Sequence, residues 1–287
     1  MIPAAFDYIA PSTLDEALAT LADGGETKIM AGGQSLIPLL KLRLAAPAVV
    51  MDLLRLDALR TVEDTPTTVK IGAMVTHNQI LDEAKVARIG AIIHDAGEDL
   101  ADPLIRNRGT FGGSLAHADP AGDWPAVALA VDGVVHAQSL RGVREIAIKD
   151  FFTYVFTSDL ADDEILTHVT LFKPPPGTVS AYVKIPHPAS GYAVAAAGVS
   201  LTLGADGTCR TVRVALTGVS TTPVRSPGAE AALEGRVIDA DAIQAAVEHA
   251  ADGIAVMGDN YAPVDYRRNL IGVVTRRALE RALTRRT

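Results

Sequence analysis

Two short glycine-rich motifs constrain the fold of this chain most strongly. The first is AGGQSL at residues 31–36, and the second is TFGGS at residues 110–114. Paired glycines let a ligand approach the backbone closely, and successive N–H groups in such turns can converge on an anion. One motif alone is compatible with an ordinary turn. Two motifs of the same design predict a ligand with a diphosphate that is held from both sides.

Neither motif matches the two common phosphate-binding fingerprints. No Gly-Lys-Ser/Thr follows, as a P-loop requires, and the third glycine of the Rossmann fingerprint is absent from both. The pattern therefore predicts a nucleotide cofactor in a different fold. After the second motif, Asp119 is expected either to cap a helix that begins at Pro120 or to contact the ligand. Asp123 is a candidate acceptor for sugar or polyol hydroxyls.

Composition narrows the class of protein. With 287 residues, 48% of them hydrophobic and 21% charged, the chain can form two globular domains. The net charge of −8 disfavours a nucleic-acid surface, and no apolar run reaches the roughly 20 residues of a membrane span. The single cysteine, Cys209, excludes an internal disulfide and a cysteine-ligated cluster within this chain, and the histidines lack metal-binding spacing. We expect a cytoplasmic protein with no metal of its own.

Hydrophobic patterning predicts alternating helices and strands. A capping box at Thr13 begins a helix that ends before residues 24–25, and a second capping box pairs Thr76 with Gln79. Strands are predicted at residues 27–30, 49–53 and 69–73, a short helix from Pro38 through Leu44, and a helix at residues 89–100. Residues 126–135 are apolar and β-prone. The proline run at residues 173–177 predicts a linker, followed by a hairpin at residues 194–219 and by helices after Pro227.

Taken together, the motifs resemble the FAD-binding medium subunits of the molybdenum hydroxylases, a group that includes carbon monoxide and xanthine dehydrogenases. The resemblance rests on residues 31–36 with Pro38 and Arg43, on residues 106–123, and on KIPHPASGYA at residues 184–193. It covers essentially the whole chain. Gln34 stands where many members have histidine, and Ser114 stands where asparagine is common. Both side chains can still form hydrogen bonds.

The resemblance implies an α+β fold in two domains. Residues 1–176 would form a PCMH-type FAD-binding domain of two α/β subdomains. Residues 177–287 would form the antiparallel sheet with helices that is typical of carbon monoxide dehydrogenase flavoprotein subunits. Both glycine motifs would bind the FAD diphosphate, Asp123 the sugar or polyol, and Leu166, Lys184 and Tyr192 would lie near the flavin. The full expected set is Ala31, Gly32, Gly33, Gln34, Ser35, Leu36, Thr110, Gly112, Gly113, Ser114, Ala118, Asp119, Asp123, Leu166, Lys184 and Tyr192.

The resemblance also implies electron transfer as the function. A large molybdenum-cofactor subunit would oxidise the substrate, and a small [2Fe–2S] subunit would relay electrons to the FAD of this chain, which would pass them to an external acceptor. No side chain here is expected to act as a nucleophile or general base. Two alternatives stay open: a stand-alone FAD-dependent oxidoreductase of a related fold, and a non-catalytic nucleotide-binding subunit.

Two further expectations concern two glycines and a group of arginines. Gly33 and Gly112 are expected to tolerate no side chain, because a Cβ atom would fill phosphate space or oppose a positive φ. A group of arginines near residue 280 is interpreted either as a solvated helix end or as a partner-binding face. This group comprises Arg276, Arg277, Arg281, Arg285 and Arg286.

Overall fold

The computed structural model describes residues 1–286 and begins with a small parallel sheet. Its strands are β1 (Asp7–Ile9), β2 (Thr27–Met30) and β3 (Val49–Asp52), in the order β1-β3-β2. Helix α1 (Leu14–Ala22) connects β1 to β2, and helix α2 (Leu36–Lys41) follows β2. The Thr13 side chain accepts the Glu16 N–H, as the predicted helix start requires.

A five-stranded antiparallel sheet forms the second layer, in the order β4-β5-β10-β6-β7. Its strands are β4 (Val62–Asp64), β5 (Thr68–Gly72), β6 (Gly133–Ser139), β7 (Gly142–Ala147) and β10 (Ile165–Phe172). Between β7 and β10 lie helix α8 (Ile148–Phe151) and a hairpin of β8 (Phe152–Tyr154) and β9 (Thr157–Ser158).

The long connection between β5 and β6 carries five helices. They are α3 (His77–Asp82), α4 (Ala91–Asp99), α5 (Pro103–Arg106), α6 (Phe111–His117) and α7 (Asp123–Val131). The capping box of Thr76 and Gln79 is present at the start of α3. The second glycine motif forms the start of α6, so the topology brings it back to β5 and to the end of β2.

The remainder of the chain forms a four-stranded antiparallel sheet with helices. Its strands are β11 (Thr178–Pro186), β12 (Ala193–Leu203), β13 (Cys209–Thr217) and β14 (Val224–Arg225), in sequence order across the sheet. The helices are α9 (Pro227–Leu233), α10 (Ala240–His249) and α11 (Val264–Leu283). No helix or strand occupies residues 173–177, where a linker was predicted.

Small side chains on β12 let the two parts of the chain pack closely. A Cβ atom on Gly198 would lie 3.1 Å from Ile92 Cδ1 and 3.4 Å from Ala130 Cβ. Helices α4 and α7 therefore rest directly on β11, β12 and β13. At the end of α7, Asp132 forms ion pairs with Arg213 at 2.9 Å and with Arg225 at 3.5 Å.

Two element predictions were wrong. Residues 126–131 belong to helix α7, and the strand begins only at Gly133. Helix α7 is buried on nearly every side, so it has no polar face that would show helical periodicity. The helix predicted from Pro38 through Leu44 begins at Leu36 and ends at Lys41. Pro38 fits within its first turn, where a backbone N–H has no helical partner.

Candidate functional site

Strand β2 delivers the first glycine motif to the second. A Cβ atom on Gly32 would lie 2.1 Å from Arg108 O and 2.7 Å from Gly109 Cα, so the two segments touch through their backbones. Gly33 is buried and has a φ of +75°, a conformation that L side chains disfavour. The geometry explains both glycines: Gly32 permits the contact between the motifs, and Gly33 permits the turn.

The first motif presents a run of unpaired backbone donors. The N–H groups of residues 32–36 donate to no acceptor within residues 1–286. Ser35 precedes α2, but its side chain makes no capping hydrogen bond. Successive backbone N–H groups without an internal partner can bind an anion, and the last of this run, that of Leu36, is the first N–H of helix α2. This motif can therefore bind a phosphate group through its backbone.

The second motif differs from the first, although both contain paired glycines. Thr110 is the N-cap of α6, and its hydroxyl accepts the Gly113 N–H at 3.2 Å. The N–H groups of Phe111 and Gly112 donate to Val75 O and Ala73 O. The second motif therefore offers no free amides at these positions, contrary to the expectation of two equivalent loops. What it offers a ligand is the hydroxyl groups of Thr110 and Ser114.

The structure also gives Gly112 a different role from the expected one. A Cβ atom on Gly112 would lie 2.5 Å from Ala73 Cβ and 2.6 Å from Ala73 Cα. The space beside Gly112 is therefore filled by the protein itself. Gly113 is the glycine next to the first motif, since its Cβ atom would lie 3.2 Å from Ala31 Cβ.

The segment after α6 turns sharply toward the C-terminal sheet. Ala118 ends α6 in the left-handed conformation, with a φ of +51°. Asp119 Oδ1 accepts the Ala121 N–H at 2.9 Å, so Asp119 closes a local turn and does not cap a helix that starts at Pro120. The next helix begins at Asp123. Burial raises the pKa of Asp119, whereas the hydrogen bond from the Ala121 N–H and the nearby His117 oppose that shift.

Asp123 lies at the centre of a buried cluster with Tyr182 and Lys184. The Tyr182 hydroxyl donates to Asp123 Oδ1 at 2.5 Å, and Lys184 Nζ lies 3.1 Å from Asp123 Oδ2. Lys184 Nζ also donates to Asp99 O at 2.6 Å. Burial raises the pKa of Asp123, whereas Lys184 and the Tyr182 hydroxyl oppose that shift. Burial and Asp123 together raise the pKa of Tyr182 well above its ordinary value, so Tyr182 stays a donor.

Leu166 is placed by an irregularity in β10. The register between β10 and β6 shifts between Leu166 and His168, and the extra residue, Thr167, accepts the Ala73 N–H at 2.9 Å through its carbonyl. Ala73 is also the residue on which Gly112 packs. Leu166 is 5% exposed and belongs to the same apolar core as Phe111. The bulge thus links Leu166 to the helix that carries the second motif.

Tyr192 lies in a tight loop at the start of β12. The His187 N–H donates to Tyr192 O at 2.7 Å, and Gly191 adopts a φ of +73°. The phenol ring is 46% exposed. Partial burial raises the pKa of Tyr192, while a hydrogen bond that the Ser35 hydroxyl donates to its phenol oxygen opposes that shift. The loop therefore brings Tyr192 to the first glycine motif.

Sequence reasoning missed residues whose partners are distant in the chain. His77 is buried behind the second motif, where Nδ1 accepts the Trp124 Nε1–H at 2.9 Å. A Cβ atom on Gly109 would lie 2.5 Å from His77 Nε2. Tyr182 was missed for the same reason, since its partner Asp123 lies 59 residues away. No local signal marks either pair.

Residues 1–286 lack two other classes of site. None of the helices there is long and apolar enough to cross a membrane. The same residues contain no group of three or more His, Cys, Asp or Glu side chains arranged to hold a metal ion.

Comparison with known proteins shows the family. Residues 4–174 match the family described as "FAD binding domain in molybdopterin dehydrogenase", and residues 180–282 match the "CO dehydrogenase flavoprotein C-terminal domain".

Relatives aligned over nearly their full length, and a solved structure, support the same family assignment. The 6-hydroxypseudooxynicotine dehydrogenase complex subunit alpha of Paenarthrobacter nicotinovorans is 35% identical over 99% of this chain and 97% of its own. The carbon monoxide dehydrogenase medium chain of Afipia carboxidovorans is 36% identical over 99% of both chains. A chain of the Hydrogenophaga pseudoflava carbon monoxide dehydrogenase structure, a form lacking the Mo-pyranopterin moiety of the molybdenum cofactor, superposes with a TM-score of 0.96 at 34% identity over 100% of both chains. The chain therefore belongs to the family of FAD-binding flavoprotein subunits of the molybdopterin dehydrogenases.

Proposed function

We propose that this chain is the electron-transfer subunit of a molybdenum-containing hydroxylase. The observation that carries the proposal is the run of unpaired N–H groups at residues 32–36, which lies against the segment that opens the second motif. Free amides beside the hydroxyl groups of Ser35, Thr110 and Ser114 match the acceptor-rich diphosphate of FAD. The donor set on this chain therefore fits the cofactor that its family binds.

We assign the remaining residues by the chemistry of their side chains. Asp123 and Lys184 form the buried polar cluster, and we propose that they bind the sugar or polyol part of the cofactor. Leu166 and Tyr192 supply apolar and aromatic surface, and we propose that they hold the isoalloxazine ring. Residues close to these groups complete the proposed site: Ala31, Gln34, Leu36, Gly113, Ala118 and Asp119.

When bound, FAD supplies two-electron redox chemistry that connects a one-electron relay to an external acceptor. The residues of this chain bind the cofactor, orient it and set its surroundings. We propose that electrons come from a small [2Fe–2S] subunit and originate at a large molybdenum-cofactor subunit. The relatives named as a complex subunit and as medium chains support an assembly of this kind.

We propose the cytoplasm as the compartment, because Cys209 is a buried free thiol.

Purification of the complex from its native host tests this proposal. We expect the chain to co-purify with two further subunits, with molybdenum and iron present in the complex. The isolated chain should contain FAD but should not oxidise carbon monoxide, purines, aldehydes or N-heterocycles. Full substrate turnover by the isolated chain would favour the stand-alone oxidoreductase. A folded chain without flavin would favour the non-catalytic subunit.

A further inference from the structure

One edge of the C-terminal sheet passes directly beside the proposed cofactor site. Strand β11 is the edge strand of the C-terminal sheet, and it carries both Tyr182 and Lys184. The outer N–H and C=O groups of an edge strand need partners other than a neighbouring strand. The partners that bind the outer N–H and C=O groups of β11 therefore fix the positions of Tyr182 and Lys184.

Helix α4 covers this edge and contacts β11 at successive positions along the strand. The Ile92 N–H donates to Ser180 Oγ at 3.3 Å, and Asp95 Oδ2 accepts the Tyr182 N–H at 3.0 Å. One turn further along, Asp99 O accepts from Lys184 Nζ. The contacting residues of α4 are three or four positions apart, which places them on one face of the helix. Their partners on β11 are two positions apart, which is the side-chain period of a strand.

Two arginines complete the cover: Arg281 lies in the last turn of α11, and Arg285 follows the end of that helix. Arg285 donates to both carboxylate oxygens of Asp95, at 2.7 and 2.8 Å, and to Ser180 O at 2.7 Å. Arg281 lies 2.7 Å from Asp95 Oδ1 and donates to Tyr182 O at 3.3 Å. The Asp95 side chain is only 3% exposed, whereas the guanidinium groups are partly accessible. The interpretation of these two arginines as a solvated helix end was therefore wrong.

We propose that Asp95, Arg281 and Arg285, which we call the Asp95 clamp, are positioning residues for the FAD site. They fix the backbone on both sides of Tyr182. The Tyr182 hydroxyl then holds Asp123, and two residues further on Lys184 reaches the same carboxylate. The Asp95 clamp thereby couples α11 to the polar cluster, and its loss weakens FAD binding without removing any group that contacts the cofactor. This inference rests on the proposed role of Asp123 and Lys184.

Titration of the flavin-free full chain with FAD tests the inference. Arg285→Ala is expected to raise the FAD dissociation constant by roughly 2- to 30-fold, the range for coupling through packed networks. Arg286→Ala is the matched control, because Arg286 lies beside Gly207 and pairs with no carboxylate within residues 1–286. A second control, Leu270→Ala, makes a cavity in the C-terminal core and should lower the melting temperature while leaving the dissociation constant unchanged.

A double-mutant cycle separates positioning from general loosening. If the Asp95 clamp acts through the cluster, Arg285→Ala has a smaller effect on FAD affinity when Asp123→Asn is already present. Unaltered affinity in Arg285→Ala, or effects of the two substitutions that simply multiply, would overturn the Asp95 clamp alone. Failure of the unsubstituted chain to bind FAD would overturn the proposed function and this inference with it.

Discussion

Gly33 shows how one residue can serve backbone geometry and ligand binding together. Its φ of +75° lies in the left-handed region, and it stands in the middle of the unpaired N–H groups. Gly24, after helix α1, has nearly the same φ of +73° but lies outside the motif. The two glycines therefore offer a matched pair for separating strain from function.

We predict that Gly33→Ala and Gly24→Ala each lower the free energy of unfolding by about 1–2 kcal/mol, the cost of a left-handed L residue. Only Gly33→Ala should also weaken FAD binding, because the turn that aims the N–H groups relaxes. Denaturant unfolding and FAD titration of both variants check this. Equal FAD affinity in the two variants would remove the first motif from the site.

His77 is a buried histidine whose neutral form the fold requires. Burial, with a smaller contribution from Arg106, lowers the pKa of His77 from 6.5 to about 4. Nδ1 must stay unprotonated to accept the Trp124 N–H. In the unfolded chain the imidazole binds a proton near its ordinary pKa of 6.5. As the pH falls, the unfolded state therefore binds this proton at a higher pH than the folded state does, and the equilibrium shifts towards unfolding.

We therefore predict that acidification from pH 6.5 towards pH 4 removes stability, by up to about 3 kcal/mol from His77. Above pH 6.5 this contribution is fully present. His77→Gln keeps an acceptor for Trp124 but cannot titrate, so its unfolding free energy should depend less steeply on pH in this window. Identical pH profiles for the two proteins, measured by denaturant unfolding, would contradict the assignment.

At the scale of elements, local signals predicted the start of helices and long-range packing decided the rest. The helix starts predicted at Thr13 and Thr76 were confirmed, since each N-cap hydroxyl accepts an N–H only three positions away. Thr76 and Gln79 form the full capping box, whereas the Glu16 carboxylate accepts the Ser12 N–H, so only half of the box at Thr13 is present. Helix α7 was missed because burial on all sides removes the polar face that periodicity needs. The second glycine motif was predicted to be a loop, but its N–H groups are bonded to the segment that follows β5 and to Thr110.

The position of helix α6 depends on Gly112. A Cβ atom there would meet the Ala73 backbone, which cannot move like a flexible side chain. We predict that Gly112→Ala lowers the free energy of unfolding by about 1–3 kcal/mol, the usual cost of overpacking. Ser114→Ala, two residues further along α6, should leave that free energy nearly unchanged and weaken FAD binding. Thermal and denaturant unfolding compare the two, and normal stability of Gly112→Ala would refute the packing role.

At the scale of the whole molecule, the proposed FAD site lies where the two parts of the chain meet. Residues 31–36 and 110–123 come from the first part, whereas Tyr182, Lys184 and Tyr192 come from the second. The sequence motifs predicted the family and most candidate residues, and the family was confirmed. Spacing alone could not predict that Asp95 binds arginines 186 and 190 residues away, since such pairs exist only after packing.

The central claim is that this chain binds FAD non-covalently through the two glycine motifs, and flavin release tests it most directly. The purified chain is denatured with acid, the precipitate is removed, and the flavin in each fraction is identified and counted against protein. We predict about one FAD per chain in the supernatant, because one diphosphate fits the run of free N–H groups at residues 32–36. Flavin that stays with the precipitate, or a folded preparation with no flavin, would contradict the account.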